Sequence, residues 1–279
     1  MLPNFLVIGA MKAGTTSLWH YLRSHPQVFV TTPKEPMYFS EDALYGHRAE
    51  WYSSLFWEGR EAVARGECST TYAASADYPL VAPRIAATVP DVKIVYMVRQ
   101  PMQRMRSQYL HSLYFGTLRT SFEAAVREDP RLIDRSRYGW HLDLYRQYLP
   151  ADRILVLPSE QLRSDRAHSL RRLFRFLGVA PDAADLAADR EHNRAKRVPR
   201  DAFSNIHHAL LDGPPLARAG ARLLGPVTTR PAAPADTHLS QESVKRLEDV
   251  LAPDVCRLRE IVGAGEFDSW GWRFPIDSD

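Results

Sequence analysis

The chain has 279 residues, 45% hydrophobic and 10% aromatic, enough to bury one sizeable core. Its 36 basic and 33 acidic residues leave a formal charge of +3, which gives no case for a nucleic-acid or membrane-surface partner but allows a local basic pocket. Cys68 and Cys256 are too few for a disulfide framework or a zinc site, and neither a leader pattern nor a run of about 18 apolar residues occurs, so the expectation is a soluble, cytoplasmic protein without a membrane span.

Phe5 to Ile8 is a short apolar run of the kind a buried parallel strand shows, and Thr15 to Leu22 carries Leu18, Trp19 and Leu22 at helical spacing. Gly9 and Gly14 relax the backbone between them, which predicts strand, anion-cradling loop and helix. The two glycines fit the first half of the triphosphate signature G-x-x-x-x-G-K-[ST], but Thr15 stands at the lysine position and the lysine is Lys12, inside the loop. A 5′-phosphate gripped through Gly14, Thr15, Thr16 and Ser17 would leave Lys12 beside the group being transferred.

His25-Pro26 should stop this helix, and Val28 to Val30 reads as a second strand leading into Pro33-Lys34-Glu35-Pro36. Two prolines keep that segment from being helical, which makes it a good place to hold a side chain at a fixed distance from the loop. Glu35 is the candidate, because a carboxylate can take a proton from a hydroxyl or amine; a surface Lys-Glu pair without a role is the alternative. Residues 41 to 80 read as irregular, with Trp51, Tyr52, Phe56 and Trp57 on a helix that packs on the core. Cys68 to Tyr72 is β-prone, and Tyr78 to Thr88 is helical with an interruption at Pro83.

Val92 to Val98 has the strongest strand pattern and ends in Arg99. A magnesium-dependent kinase or hydrolase needs an acidic residue near such a strand end, so an arginine there points to a second anion. Met102 to Phe115 reads as a helix that places Ser107 where it could share that anion with Arg99. A helix over Tyr138 to Leu149, a strand over Arg153 to Leu157 and a helix over Ala167 to Leu177 with Gly178 at its end follow. The alternation predicts an α/β fold, P-loop-like and three-layered, with a central mainly parallel sheet flanked by helices and a helical C-terminal part. Ligands of such sheets sit at the carboxyl ends of the strands, which would bring the 9–17 loop and Arg99 to one cleft.

A single domain is expected, with residues 1–180 as nucleotide-binding core and 190–279 as a covering loop and C-terminal helices. His192 to Arg200 is the densest basic cluster, either a lid over a nucleotide phosphate or a solvated loop. Gly225 to His238 reads as a mobile connection. Ser240 to Leu251 and Asp254 to Val262 read as two helices separated by Pro253, and Trp270 and Trp272 as a tail docked on the core.

With these pieces assembled, the chain resembles the sulfotransferases that use 3′-phosphoadenosine 5′-phosphosulfate (PAPS), in the branch of bacterial and heparan-type enzymes. Gly9 to Leu18 is similar to that family's 5′-phosphosulfate loop, Val98-Arg99-Gln100-Pro101 through Arg104 to Ser107 to its 3′-phosphate motif, and Lys34-Glu35-Pro36-Met37-Tyr38-Phe39 to the segment carrying its catalytic glutamate. The resemblance implies that Lys12 stabilises the leaving phosphate, that Ala13 to Ser17 hold the 5′-phosphate, that Arg99 and Ser107 hold the 3′-phosphate, and that Glu35 is the general base. It further implies that Lys196 and Arg197 close over the nucleotide. Lys34 and Tyr38, with the cleft aromatic Tyr109, become candidate acceptor contacts, and His111 is the alternative base. PAPS would be co-substrate, with 3′-phosphoadenosine 5′-phosphate (PAP) as product and no metal.

The sequence departs from the heparan branch in two places. Cys68 replaces a second active-site lysine within Glu67-Cys68-Ser69-Thr70-Thr71-Tyr72, where that branch commonly has Glu-Lys-Thr-Pro-x-Tyr, and Ser40 stands where an acidic residue often follows the Phe. Expected acceptors are therefore small-molecule, lipid-like or carbohydrate. A P-loop kinase or nucleotide hydrolase, and a catalytically silent nucleotide-binding module, are the competing readings.

Overall fold

Five strands form one sheet in the computed structural model, which describes residues 1–183 and 236–270. They are β1 (Phe5–Gly9), β2 (Val28–Val30), β3 (Ala64–Cys68), β4 (Lys93–Val98) and β5 (Ile154–Pro158). Their order is β2-β3-β1-β4-β5 with every neighbouring pair parallel, so β1 is central. Phe5 to Ile8 and Ile94 to Val98 are all at 0% exposure, as expected for strands covered on both faces. The α/β class, the parallel sheet and the flanking helices agree with the sequence expectation.

The connections carry α1 (Thr15–Arg23), α2 (Ala49–Ser54), α3 (Val81–Thr88), α4 (Pro101–Tyr114), α5 (Phe122–Glu128), α6 (Pro130–Asp134) and α7 (Tyr138–Arg146). After β5 come α8 (Ser159–Ser164), α9 (Arg166–Leu177) and α10 (Gln241–Val262). Gly178 ends α9 in the left-handed conformation, φ 81°, as its position predicts. Among the described residues the buried apolar side chains form two clusters. The larger surrounds the sheet, and the smaller joins Met105 and Tyr109 of α4 to Phe122 of α5, Leu132 of α6 and Leu247 and Leu251 of α10.

Several local expectations need correction. Residues 64–68, within a stretch expected to be irregular, form β3, and the β-prone Cys68–Tyr72 stretch leaves the sheet at once for a 3-10 turn over Thr70–Ala73. Pro83 does not interrupt α3, because it lies in the first turn, where a missing N–H removes no helical bond. Nor does Pro253 divide the last helical run: α10 is continuous from Gln241 to Val262 with the proline inside it. Of the aromatics near α2, Tyr52 and Phe56 are fully buried, but Trp51 and Trp57 face solvent. Cys68 and Cys256 are free thiols, and among the described residues no helix is long and apolar enough to cross a membrane. Lys196, Arg197 and the rest of the 192–200 cluster, positions 225–235 and Trp272 lie outside the described residues.

Candidate active site

The chain leaves β1 through a loop built for tight backbone approach. Ala10 N–H donates to the Met97 carbonyl of β4 at 2.6 Å and Ala13 N–H to the Ala10 carbonyl at 3.0 Å, which folds residues 10–13 over the sheet edge. Lys12 has φ 69° and Gly14 φ 98°, both left-handed, a conformation that costs a non-glycine residue about 1–2 kcal/mol. Gly14 is the N-cap of α1 and supplies no side-chain cap, so the first-turn N–H groups of Thr15 and Thr16 face the loop with no acceptor inside the helix. The positive end of α1 adds to the attraction for an anion.

Arg99 stands at the carboxyl end of β4, beside this loop. One of its Nη atoms donates to the Lys12 carbonyl at 3.2 Å, the other reaches Gln103 at 3.5 Å, and its buried Nε has no partner among the described residues. Ser107 lies one turn beyond Gln103 on the same face of α4, so Arg99 and Ser107 border one stretch of surface. Arg104, which the sequence pattern includes only as part of a motif, is at 0% exposure and turns inward. It donates to the Ser136 hydroxyl at 2.7 Å, the Gln108 side chain at 2.7 Å, the Leu132 carbonyl at 2.6 Å and, more weakly, the Met11 carbonyl at 3.4 Å. It braces the loop from below.

The segment after β2 brings a carboxylate to these cations. Glu35 has φ 63° and its N–H donates to the Cys68 carbonyl at 3.0 Å, at the end of β3. Its Oε1 takes the Lys34 ammonium at 2.5 Å and its Oε2 the Thr70 hydroxyl at 3.0 Å. Lys34, Arg99 and Glu35 all act on Lys12: burial first, then the Arg99 and Lys34 charges, bring its pKa down to about 8 against the opposing pull of Glu35. Burial also lowers the Arg99 pKa. Three cations against one carboxylate, with a buried guanidinium Nε that finds no partner among the described residues, give this surface a positive balance suited to an anion.

Other predicted residues fall elsewhere. Tyr38 is 3% exposed and stacks on Tyr52 at 4.1 Å, and Tyr109 is 3% exposed in the smaller cluster. His111 lies on the second half of α4, its ring 4.5 Å from that of Phe115. Cys68, at the lysine position of the heparan branch, is fully buried, and burial pushes its thiol pKa far up. Ser40 is buried, bonded to the Met37 carbonyl at 3.1 Å and the Thr71 hydroxyl at 2.8 Å. Sequence reading passed over Glu67, a fully buried carboxyl near enough to Glu35 for the two charges to interact, although its place in the Glu67–Tyr72 stretch was a signal. Among the described residues no group of three or more His, Cys, Asp or Glu side chains is arranged to hold a metal ion.

A family profile described as a sulfotransferase domain matches residues 2–209. The chain belongs to the sulfotransferase family. Within it, 144 residues are 35% identical to the membrane-associated sulfotransferase kil1 of Dictyostelium discoideum, covering 48% of this chain and 29% of that protein. Over 187 residues it is 32% identical to heparan sulfate glucosamine 3-O-sulfotransferase 3A1 of Mus musculus, 64% of this chain and 46% of the relative. Over 201 residues it is 31% identical to bifunctional heparan sulfate N-deacetylase/N-sulfotransferase 3 of Homo sapiens, 64% of this chain and 23% of the relative. The sulfotransferase chain thus spans from about a quarter to about half of the length of these curated relatives. A solved sulfotransferase from Alicyclobacillus acidocaldarius shares the fold with a TM-score of 0.69 at 22% identity, covering 97% of this chain and 99% of the neighbour.

Proposed function

We propose that this sulfotransferase-family chain, acting as one domain, moves the sulfuryl group of PAPS to a hydroxyl or amine by in-line displacement. The observation that carries the reading is the cluster of Arg99, Lys34 and Glu35 around Lys12 at the strand ends, with the Arg99 Nε left without a partner among the described residues. Thr15, Thr16 and Ser17 at the start of α1 would hold the 5′-phosphate, and Arg99 with Ser107 the 3′-phosphate. The acceptor oxygen or nitrogen forms a bond to sulfur as the bond from sulfur to the bridging phosphate oxygen breaks. Glu35 takes the acceptor proton, and Lys12 offsets charge growing on the departing phosphate. Lys34, paired to Glu35 at 2.5 Å, would hold that carboxylate in place beside the acceptor. Because two of the related proteins are named for work on heparan sulfate, amino-sugar hydroxyls and amines come first among acceptors.

Calorimetry with PAP and with Mg-ATP, followed by a screen of labelled PAPS against amino sugars, phenols and aliphatic alcohols, tests this reading. Expected is PAP binding well above Mg-ATP binding and transfer to at least one acceptor class. Glu35→Gln should reduce transfer by about a hundredfold or more while PAP affinity stays within about threefold. Tight Mg-ATP binding with no response to PAP would overturn the assignment in favour of a kinase or hydrolase. PAP binding with no transfer, and no effect of Glu35→Gln, would leave only a nucleotide-binding module.

A further inference from the structure

The proposed chemistry leaves one buried acid unused. Glu67 on β3 is at 0% exposure, with Oε1 accepting the Tyr72 hydroxyl at 2.6 Å and the Tyr52 hydroxyl at 3.2 Å, and Oε2 accepting the Ser69 hydroxyl at 2.7 Å. Burial raises its pKa to about 7 against the pull of these three hydrogen bonds. A carboxyl so placed costs stability, and neutral hydroxyls offset only part of that cost. Its retention next to the site calls for a use.

The hydroxyls that donate to Glu67 pass its hold on to the segment bearing Glu35. Ser69 Oγ accepts the Met37 N–H at 3.1 Å, and the Tyr72 hydroxyl accepts the Phe39 N–H at 3.3 Å. Each hydroxyl has a single hydrogen, and committing it to Glu67 turns a lone pair toward the 35–39 backbone. That backbone needs holding, since Glu35 and Met37 both sit at positive φ, 63° and 57°, which non-glycine residues avoid. Resting on the sulfotransferase reading, we propose that Glu67 is a positioning residue for the transfer step, locking residues 35–39 through Ser69 and Tyr72 so that the Glu35 carboxylate faces Lys12 and the acceptor.

The test pairs a readout that needs no substrate with one that does. Amide hydrogen exchange of the free protein should show the Met37 and Phe39 amides exchanging about tenfold faster or more in Glu67→Gln, with β1 and β4 unchanged. With PAPS and glucosamine as the acceptor probe, Glu67→Gln should lower kcat by about tenfold to a hundredfold and leave PAP affinity within about threefold. In a Glu35→Gln background the same change should cost almost nothing further, because a residue acting through Glu35 has nothing left to position. Tyr72→Phe and Ser69→Ala, each removing one relay, should reproduce part of the effect and carry the test if Glu67→Gln folds poorly. Unchanged exchange at Met37 and Phe39 would overturn the proposal, as would a kcat loss that persists undiminished without Glu35. Failure of the wild-type protein to bind PAP would instead sink the sulfotransferase reading and leave the exchange result standing.

Discussion

An ammonium group buried beside other cations holds its proton weakly, and Lys12 is such a group, with its pKa lowered to about 8 by burial and by the Arg99 and Lys34 charges. A bound polyanion reverses that balance, so the complex keeps the Lys12 proton to higher pH than the free protein does. Linkage fixes the sign: above about pH 8 the free protein has lost a proton that binding must restore, and PAP affinity should fall by up to tenfold per pH unit. Below that pH Lys12 is charged in both states and contributes no slope. Calorimetry from neutral pH upward checks this, and Lys12→Met should bind PAP more weakly with the slope above pH 8 gone. At this scale much of the candidate site was legible, since Lys12, Glu35 and Arg99, which lie at the ends of neighbouring strands, each stood out by position in the chain. The hydroxyls around Glu67 were not legible, because nothing in the sequence says that Tyr52, Ser69 and Tyr72 converge on one carboxyl.

The elements were legible where the apolar pattern was clean and obscure where polar residues were buried. β1 and β4 announced themselves as near-continuous apolar runs, but β3, Ala64-Arg65-Gly66-Glu67-Cys68, hides between them with a buried Glu and a glycine. Only tertiary partners make it a strand: β1 and β2 pair with its two edges, and three hydroxyls satisfy Glu67. The misread helix break has the opposite cause. Pro253 is exposed within α10, and the turns on either side are held independently, by Leu247 and Leu251 in the smaller cluster and by Val255 and Leu258 in the larger. Asp254 adds to that hold by accepting the Trp140 N–H at 2.8 Å and the Gly139 N–H at 3.0 Å at the start of α7. Packing therefore overrides a residue that would end an isolated helix, at a cost of up to about 3 kcal/mol. Pro253→Ala restores the missing N–H on a solvent-facing position, and should stabilise the protein by about 1–3 kcal/mol, read as a higher urea midpoint with an unchanged slope.

Across the whole molecule, the site is assembled from strand ends, so its geometry is only as good as the spacing of the sheet. Lys12 follows β1, Glu35 follows β2, Glu67 to Thr70 lie at the end of β3 and Arg99 follows β4, which means that three strand spacings separate the residues of the candidate site. Gly66 sets the spacing between β1 and β3. It pairs with Phe5 on one side and Val30 on the other, and a Cβ built there would lie 2.4 Å from the Phe5 carbonyl oxygen and 2.7 Å from the Phe5 ring. A backbone oxygen in a central strand cannot step aside as a flexible side chain does, so Gly66→Ala must push β1 and β3 apart or twist one of them. Overpacking of a core costs about 1–3 kcal/mol, with the upper end expected here. The shift would also move the Lys12 loop against Glu35, so loss of stability and loss of function should arrive together. Urea unfolding of Gly66→Ala should show that drop, and calorimetry under conditions where the variant remains folded should show weaker PAP binding. A variant with wild-type stability and wild-type PAP affinity would mean that the β1–β3 spacing is not what sets the site.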